Sequence, residues 1–455
     1  MTRGTKFFLA LFSLFYLALI FPFCYFRHDD WFNLGNSLLI LKNPGFAFST
    51  DMIFFDGPRV WFFRPFFKIL PAIFFKIYGF NYYLWVLTTF ILVLAVLWVG
   101  KKTLDRLASP HSGEVFVAFS AVSILTHFGS IFWFGEGGVN IPQVLLLFLS
   151  LYFWVKFLTL ESNGNYLQLA VSLLFFILAA LFKEAFVFHA VFMFFLLIYE
   201  RKIRENTWLK KGIAFLPFAF ISLVYLYFRL CILPFNPEYV PKIELTGILK
   251  QTSLLIFVFG GSIALFALLF FPSLGIESLK RWVFRKPGYL LFFLLAVLPY
   301  IGHPFFSFGW MYSLGCYLFF IFGLEVSPVS FEVLRTRRCF ISLLIFFLLS
   351  GGVVIGSLSS HGWWQWKKSE QNFVRLIQSM PDNIKTVTIL DANKGPHACF
   401  KKVIGNPSAL WHLWQLFHPH PAQFELISKK NSEGEVFKSK SDATIMWTLS
   451  SAVQK

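Results

Sequence analysis

About eleven stretches of the chain, at 7–23, 82–99, 115–133, 143–158, 166–182, 185–198, 212–233, 252–271, 289–301, 308–322 and 340–358, are apolar over lengths approaching the ~20 residues a helix needs to cross a bilayer. Backbone polar groups find no water in hydrocarbon, so each such stretch must satisfy its own hydrogen bonds as a helix. The expected fold is therefore an all-α polytopic membrane protein with about eleven transmembrane helices. Composition agrees: 57% of the 455 residues are hydrophobic and 14% charged, more apolar surface than one water-enclosed core could hide. That excludes a water-soluble globular enzyme. The 64 phenylalanines are assigned to lipid-facing positions rather than to chemistry specific to that ring.

The formal net charge of +17 would suit nucleic acid if it lay in one patch. Instead the cations fall in short clusters between the apolar runs: Arg3 and Lys6; Lys101, Lys102 and Arg106; Arg201, Lys202, Arg204, Lys210 and Lys211; Lys280, Arg281, Arg285 and Lys286; Arg335, Arg337 and Arg338. With eleven spans all of them share one side of the bilayer, the pattern of cytoplasmic loops, and no nucleic-acid partner is expected. The loops at 134–142 and 302–309 hold no Lys or Arg. The N-terminus is thus placed in the cytoplasm, with the loop after the first run and the C-terminal tail outside a plasma or inner membrane. Cys24, Cys231, Cys316, Cys339 and Cys399 show neither paired spacing nor a CxxC, which argues against a disulfide framework or a zinc site. Phe21, Pro22 and Phe23 are bulky where a processing site needs small residues, so the first run reads as a retained anchor.

Residues 1–360 form the expected transmembrane domain, with a long outer loop at 25–81, and 361–455 a small soluble α/β domain outside the membrane. The outer loop breaks the charge rule, since it carries Arg27, Lys42, Arg59, Arg64, Lys68 and Lys76. From Asp29, Asn33 and Asn36 recur at helical spacing opposite Trp31, Leu34, Leu38 and Leu41, which predicts a short helix lying in the interface. Pro65 suits a first helical position, and Lys68, Ala72 and Lys76 line one face of a second interfacial helix bent at Pro71. Turn signals lie between them at 43–45 and 56–58. In the tail, strands are expected at 386–390, 424–428 and 443–449, and a helix at 408–417.

The adjacent acids Asp29 and Asp30 carry the chemistry most directly. A carboxylate shielded at a membrane surface can act as a general base, or with a neighbour can hold a divalent cation; an acid at a helix start can also serve only as a cap. Arg27 and His28 beside them, in a loop with excess cations, favour function. Arg64, with Arg59, Lys68 and Lys76, suits phosphate oxygens at headgroup level, although Lys68 and Lys76 would equally serve anionic membrane lipid. Lys183 and Glu184 interrupt about thirty apolar residues, where charges point inward or end a span. Here they mark the outer turn between two spans. Glu136, in a Gly-rich outer turn at 134–138, and His303 are weaker candidates on the same side. His412, His418 and His420 have no regular metal spacing.

Three of these features together resemble the GT-C superfamily of integral-membrane glycosyltransferases, in the branch that uses polyprenyl- or dolichyl-phosphate sugars. They are the acids just after the first span (Asp29, Asp30), the Arg-Pro later in the same outer loop (Arg64, Pro65), and the Lys-Glu closing a span (Lys183, Glu184). The layout is similar too, with many spans, interfacial helices in the first outer loop and an external tail. The resemblance implies transfer of a sugar from a lipid-phosphate carrier to a glycan, lipid or protein acceptor on the outer side. Asp29 would be the base and Asp30 would orient the acceptor or a divalent metal ion. Arg64 and Lys183, with Arg59, would steady the phosphate leaving group, and Glu184 would position Lys183. Direct displacement of this kind inverts the anomeric centre; metal dependence stays open. The alternatives are a transporter or flippase for a lipid-linked glycan, which would carry charges mid-span in paired halves, and a non-catalytic envelope scaffold whose tail binds a partner.

Overall fold

The protein is described from a computed structural model covering residues 1–23, 25–26, 29–49, 51–54, 57–60, 64–109, 111–126, 134–160, 166–183, 186–232, 245–274, 286–301, 309–325, 333, 335–360, 363–391, 407–418, 420, 423–428, 443–447 and 452–454. Its helices in chain order are α1 Arg3–Phe23, α2 Asp29–Lys42, α3 Pro65–Tyr78, α4 Tyr82–Leu107, α5 Ser112–Val122, α6 Phe134–Thr159, α7 Tyr166–Ala180 and α8 Phe186–Tyr199. They continue with α9 Trp208–Tyr227, α10 Leu245–Leu274, α11 Pro287–Ile301, α12 Gly309–Glu325, α13 Arg337–Ser360, α14 Trp363–Ser379 and α15 Pro407–Gln415. The strands are β1 Asp51–Phe54, β2 Gly57–Val60, β3 Thr386–Asp391, β4 Gln423–Ser428, β5 Ala443–Trp447 and β6 Ala452–Gln454.

Every apolar run overlaps a helix. Among the described residues five helices are long and apolar enough to cross a bilayer: Tyr82–Leu107, Asn140–Thr159, Trp208–Tyr227, Thr252–Phe270 and Arg337–Ser359. Ser112–Val122, Tyr166–Ala180, Phe186–Tyr199, Pro287–Ala296 and Tyr312–Glu325 are apolar but only 10–17 residues long. The chain is an integral membrane protein, mostly helical. It divides into two compact units, one of Met1–Leu17, Leu87–Ile131 and Glu136–Val354, the other of Ala18–Val86, Phe132–Gly135 and Ile355–Lys455. The expected boundary at 360 is one of composition, between apolar and polar chain, whereas these units follow contacts.

The first unit is held inside by aromatic rings. Phe116, Phe119, Phe148, Phe192 and Phe320 are fully enclosed. Phe192 meets Tyr317 edge-on at 5.1 Å, Phe148 meets Phe320 at 5.7 Å, and Phe266 stacks on Phe322 at 4.0 Å. Lipid tails are as apolar as these side chains, so helices gain little by hiding them and associate through close packing instead; rings supply it with large area and edge-to-face geometry. The assignment of phenylalanine to lipid is thus corrected for these positions, while Phe220 and Phe257 remain exposed. Gly323 lets α12 meet the start of α5, since a Cβ there would lie 2.7 Å from the Ser112 carbonyl oxygen.

Polar contacts gather at one end of this unit. Thr2 N and Thr5 Oγ1 donate to Glu114 Oε2 at 2.8 and 3.0 Å, Arg106 Nε donates to Thr159 Oγ1 at 2.8 Å, and Lys202 Nζ to the Arg106 carbonyl at 2.9 Å. Lys210 Nζ reaches the Leu160 carbonyl at 3.0 Å, just past the end of α6, where a helix leaves carbonyls unpaired. The basic clusters at the end of α4, after α8 and at the start of α9 therefore share an end of the bundle.

At the same end Lys286 Nζ lies 3.1 Å from Glu200 Oε1 and 2.9 Å from Glu325 Oε1, and the Tyr289 hydroxyl donates to Glu200 at 2.8 Å. One cation thus ties the ends of α8, α11 and α12. Burial works to lower the Lys286 ammonium, but the Glu325 and Glu200 carboxylates outweigh it and hold it above the ordinary lysine value. A group raised in the folded state contributes its stability below the ordinary lysine value and loses it as pH rises through the folded one. The lysine's contribution to the brace is therefore intact at neutral pH and is lost in strong alkali. Lys286→Ala leaves two carboxylates facing each other and is expected to lower stability by about 1–3 kcal/mol, read as an earlier thermal transition of the detergent-solubilised protein; an unchanged transition refutes the brace.

In the second unit β1 and β2 pair antiparallel with Met52 opposite Arg59, so the turn signal at 56–58 sits at a hairpin whose strands were not foreseen. The C-terminal strands form a four-stranded sheet in the order β4-β3-β5-β6, with β3 parallel to β4 and β5, and β6 antiparallel to β5. β3, β4, β5 and α15 fall at the expected positions. α14 and β6 do not correspond to any expected element.

Candidate active site

The acid pair opens α2, with Asp29 its first helical residue and Asp30 its second. An acid in the first turn faces the unpaired amides and positive end of the helix dipole, which favours a helix starting there. The side chain of Asp30 is fully buried. The helix itself departs from expectation. The short helix expected to lie in the interface is instead enclosed, with Asn33, Asn36 and Ser37 buried as well as Trp31 and Leu34 on the other side. Two neighbours account for this, because α2 packs against both α3 and α15. The enclosed polar groups turn to their own backbone: Asn36 Nδ2 donates to the Phe32 carbonyl at 2.8 Å and Ser37 Oγ to the Asn33 carbonyl at 2.7 Å.

Gly35 makes the contact with α15 possible. A Cβ at that position would lie 2.2 Å from His412 Nδ1 and 2.5 Å from His412 Cβ, while the His412 ring meets Phe32 edge-on at 5.0 Å. α14 contributes from another direction. Glu370, fully buried on that helix, accepts from Trp31 Nε1 at 3.1 Å, one residue after Asp30. Tyr25 stands nearby against Trp31, at 6.3 Å between rings, and Tyr82, at 6.0 Å. Burial first, and then the Glu370 carboxylate, push its phenol up, with the Arg375 charge acting the other way, so Tyr25 stays neutral at any physiological pH. Lys367, on the same helix as Glu370, reaches the Tyr83 hydroxyl at 3.3 Å.

Arg64 stands immediately before Pro65, the first residue of α3, as the sequence suggested, and is half-buried, with its guanidinium carbon 6.0 Å from the Phe67 ring centre. Lys68 is different. It is buried, and its Nζ donates to the Ser49 carbonyl at 2.8 Å, to Ser49 Oγ at 3.2 Å and to the Phe46 carbonyl at 3.3 Å. That corrects its reading as a headgroup-level cation: it ties α3 to the 3-10 turn Pro44–Phe48. Ala72 lies buried on the same face, whereas Lys76 is exposed. Arg59 lies on β2, and nothing of its side chain is described.

In the other unit Lys183 falls in the link between α7 and α8, where the sequence placed a turn between spans, and is half-buried. Its Nζ donates to Asn140 Oδ1 at 3.5 Å, and its carbonyl accepts from Gln143 Nε2. Glu136 lies within the first turn of α6, not in a Gly-rich turn preceding it. The reason is local, since an acid near a helix start is stabilised by the same dipole that favours Asp29. His28, Glu184 and His303 lie outside the described residues, as do the side chains of Asp29 and Glu136. Among the described residues no three His, Cys, Asp or Glu side chains come together to hold a metal ion. Of the tail histidines, His418 Nε2 lies 2.7 Å from the Ile377 carbonyl and its Nδ1 2.8 Å from Asp382 Oδ1, with the ring stacked on Trp414.

Glu370, Tyr25, Asn140 and Gln143 escaped the sequence reading. Glu370 was detectable: residues 367, 370, 373, 374 and 377 recur at helical spacing, and a carboxylate inside an apolar stripe signals a buried, partnered acid. Gln143 was hidden because a glutamine at the start of an apolar run reads as its boundary. Gly35→Ala is expected to destabilise the α2–α15 contact by about 1–3 kcal/mol through overpacking. Limited proteolysis should then cut the C-terminal region faster than in the parent protein, and identical digestion would show that the contact does not hold α15.

No family model matches the chain, and no curated protein matches it in sequence. Among solved structures it is similar to ArnT from Cupriavidus metallidurans in the apo state, with a TM-score of 0.55 and 9% identity over 92% of this chain and 85% of that one. It is similar also to ArnT from the same organism bound to undecaprenyl phosphate, with a TM-score of 0.54 and 10% identity over 97% of this chain and 92% of that one. At this identity the likeness is one of fold, and it extends over nearly the whole chain. The fold likeness agrees with the membrane layout that the resemblance implied.

Proposed function

We propose that this protein is a membrane glycosyltransferase that moves a sugar from a polyprenyl-phosphate carrier to a hydroxyl of a glycan, lipid or protein acceptor on the extracytoplasmic side. The observation that carries this reading is the shared fold with a protein crystallised with undecaprenyl phosphate, over 97% of this chain. The placement of the acids at the start of α2 and of Arg64 at the start of α3 adds to it.

In this reading the acceptor oxygen attacks the anomeric carbon as the bond from that carbon to the carrier phosphate oxygen breaks, with inversion. The acceptor proton passes to Asp29, and the electron pair of the broken bond stays on the phosphate, whose negative charge grows. Arg64, Lys183 and Arg59 are the cations suited to that charge, and Glu184 adjoins Lys183 in sequence. Arg64 and Lys183 are both only half-buried, which suits contact with a lipid phosphate. Lys68 is removed from the set by its backbone partners. Asp29 is the base in this reading, and Asp30, buried beside it in the chain, has a supporting role toward the acceptor or, where an ion takes part, toward that ion. Residues 361–455 act as an extracytoplasmic domain in this reading, and α14 and α15 place the helix that bears the acids. The transporter alternative loses ground because the candidate charges sit at helix ends and links rather than mid-span.

Asp29→Asn removes the base while keeping size and polarity. Transfer from a polyprenyl-phosphate sugar is expected to fall by about 100-fold or more with expression and membrane insertion unchanged, measured by radiolabelled sugar incorporation in membranes. Full activity in that variant sinks the base assignment, and mass spectrometry showing unaltered envelope glycans on deletion of the protein sinks the transferase reading. Orientation has its own check. A single cysteine replacing the exposed Lys42, in a cysteine-free background, should react with an impermeant maleimide from outside intact cells; reaction from the cytoplasmic face alone reverses the topology.

A further inference from the structure

Gln143 is a glutamine buried among helices at the start of the 20-residue apolar segment Asn140–Thr159. A side-chain amide in such surroundings destabilises the fold unless its groups are paired. Its Nε2 donates to two carbonyls at the far end of the neighbouring helix, that of Ala179 at 3.0 Å and that of Lys183. Ala179 is among the last residues of α7, and its carbonyl also accepts from Phe182 N at 3.1 Å, so Gln143 is a second donor there. Gln143 therefore ties the end of α7 to the backbone of the residue three positions past it. One helical turn earlier on α6, Asn140 is also buried, and its Oδ1 receives Lys183 Nζ at 3.5 Å. Residues three apart share a face of a helix. One face of α6 thus holds Lys183 at both ends, through its carbonyl and through its ammonium.

We infer that Gln143 and Asn140 are positioning residues for Lys183, setting where its ammonium stands to receive the carrier phosphate. This rests on the reading of Lys183 as a phosphate-binding residue and supplies that reading with a device that does not need Glu184. The chemistry suits the task. Asn140 is neutral, so it orients the ammonium without cancelling its charge, and a phosphate remains the stronger partner.

The test uses the full chain in lipid nanodiscs, with undecaprenyl phosphate as the probe and thermal stability recorded alongside. Lys183→Met is expected to weaken binding about 10-fold or more, and Gln143→Met, which keeps the volume but loses both donors, about 3–10-fold. In a Lys183→Met background Gln143→Met should cause no further loss, because its effect passes through the lysine. Equal loss in both backgrounds means a structural role only and overturns the inference, as does unchanged binding in Gln143→Met. Unchanged binding in Lys183→Met overturns the reading of Lys183 itself, and the inference with it. A second pair covers the case in which Gln143→Met fails to fold. Asn140→Asp should bind the probe more weakly than Asn140→Ala, since the new carboxylate pairs with the ammonium; equal affinities refute the proposed role of Asn140.

Discussion

Trp31 is wholly enclosed, and its indole N–H finds its acceptor in the carboxylate of Glu370, more than three hundred positions later in the chain. An indole donor buried without a partner destabilises by about 1–3 kcal/mol, and a buried carboxylate without donors by more. The two groups thus need each other. Because Trp31 follows Asp30 directly, this bond fixes the start of α2, and through it the acid pair, to a helix of the C-terminal region. Gly35 extends the same dependence one turn further, where the absence of a side chain admits His412. The C-terminal region is therefore part of what holds the acids, whatever else it binds.

The first unit obeys another rule. Its helices are joined by rings in the middle and by polar groups at the ends. Ring packing works where lipid is the solvent, because close contact rather than exclusion from water drives association. Polar groups are tolerated where they close one another, as Lys286 does with Glu200 and Glu325, or where they donate to carbonyls at a helix end, as Lys210 and Gln143 do. Both kinds occur in the same unit, but at positions of different meaning. The Lys286 cluster shares its end with the basic clusters, while Gln143 meets Lys183 at the link between α7 and α8, and the far end of α8 adjoins Glu200.

Positions that are chemically similar in sequence separate in the structure. Lys68 and Arg64 stand four residues apart on one helix and its cap, yet Lys68 is enclosed by carbonyls while Arg64 keeps part of its surface. Lys68 is thus part of the scaffold, because the Ser49 and Phe46 carbonyls stand within its reach.

The helical membrane fold, the helix start at Asp29, the Pro65 start of α3 and the strands near 386, 424 and 443 were all legible in the chain itself. Each is governed by local physics: the length of an apolar run, the fixed φ of proline, the pull of a helix dipole on an acid, and β-branched alternation. The hairpin at β1 and β2 and the helix α14 were missed, the first because its strands are only four residues long and the second because its polar residues masked an apolar stripe. Only tertiary structure decided that α2 is enclosed on both faces, that Lys68 is structural, and that Glu370 and Gln143 stand behind the candidate site residues. Those outcomes depend on partners dozens to hundreds of residues away, and a linear sequence carries periodicity and propensity but not the identity of the surface that will meet each face.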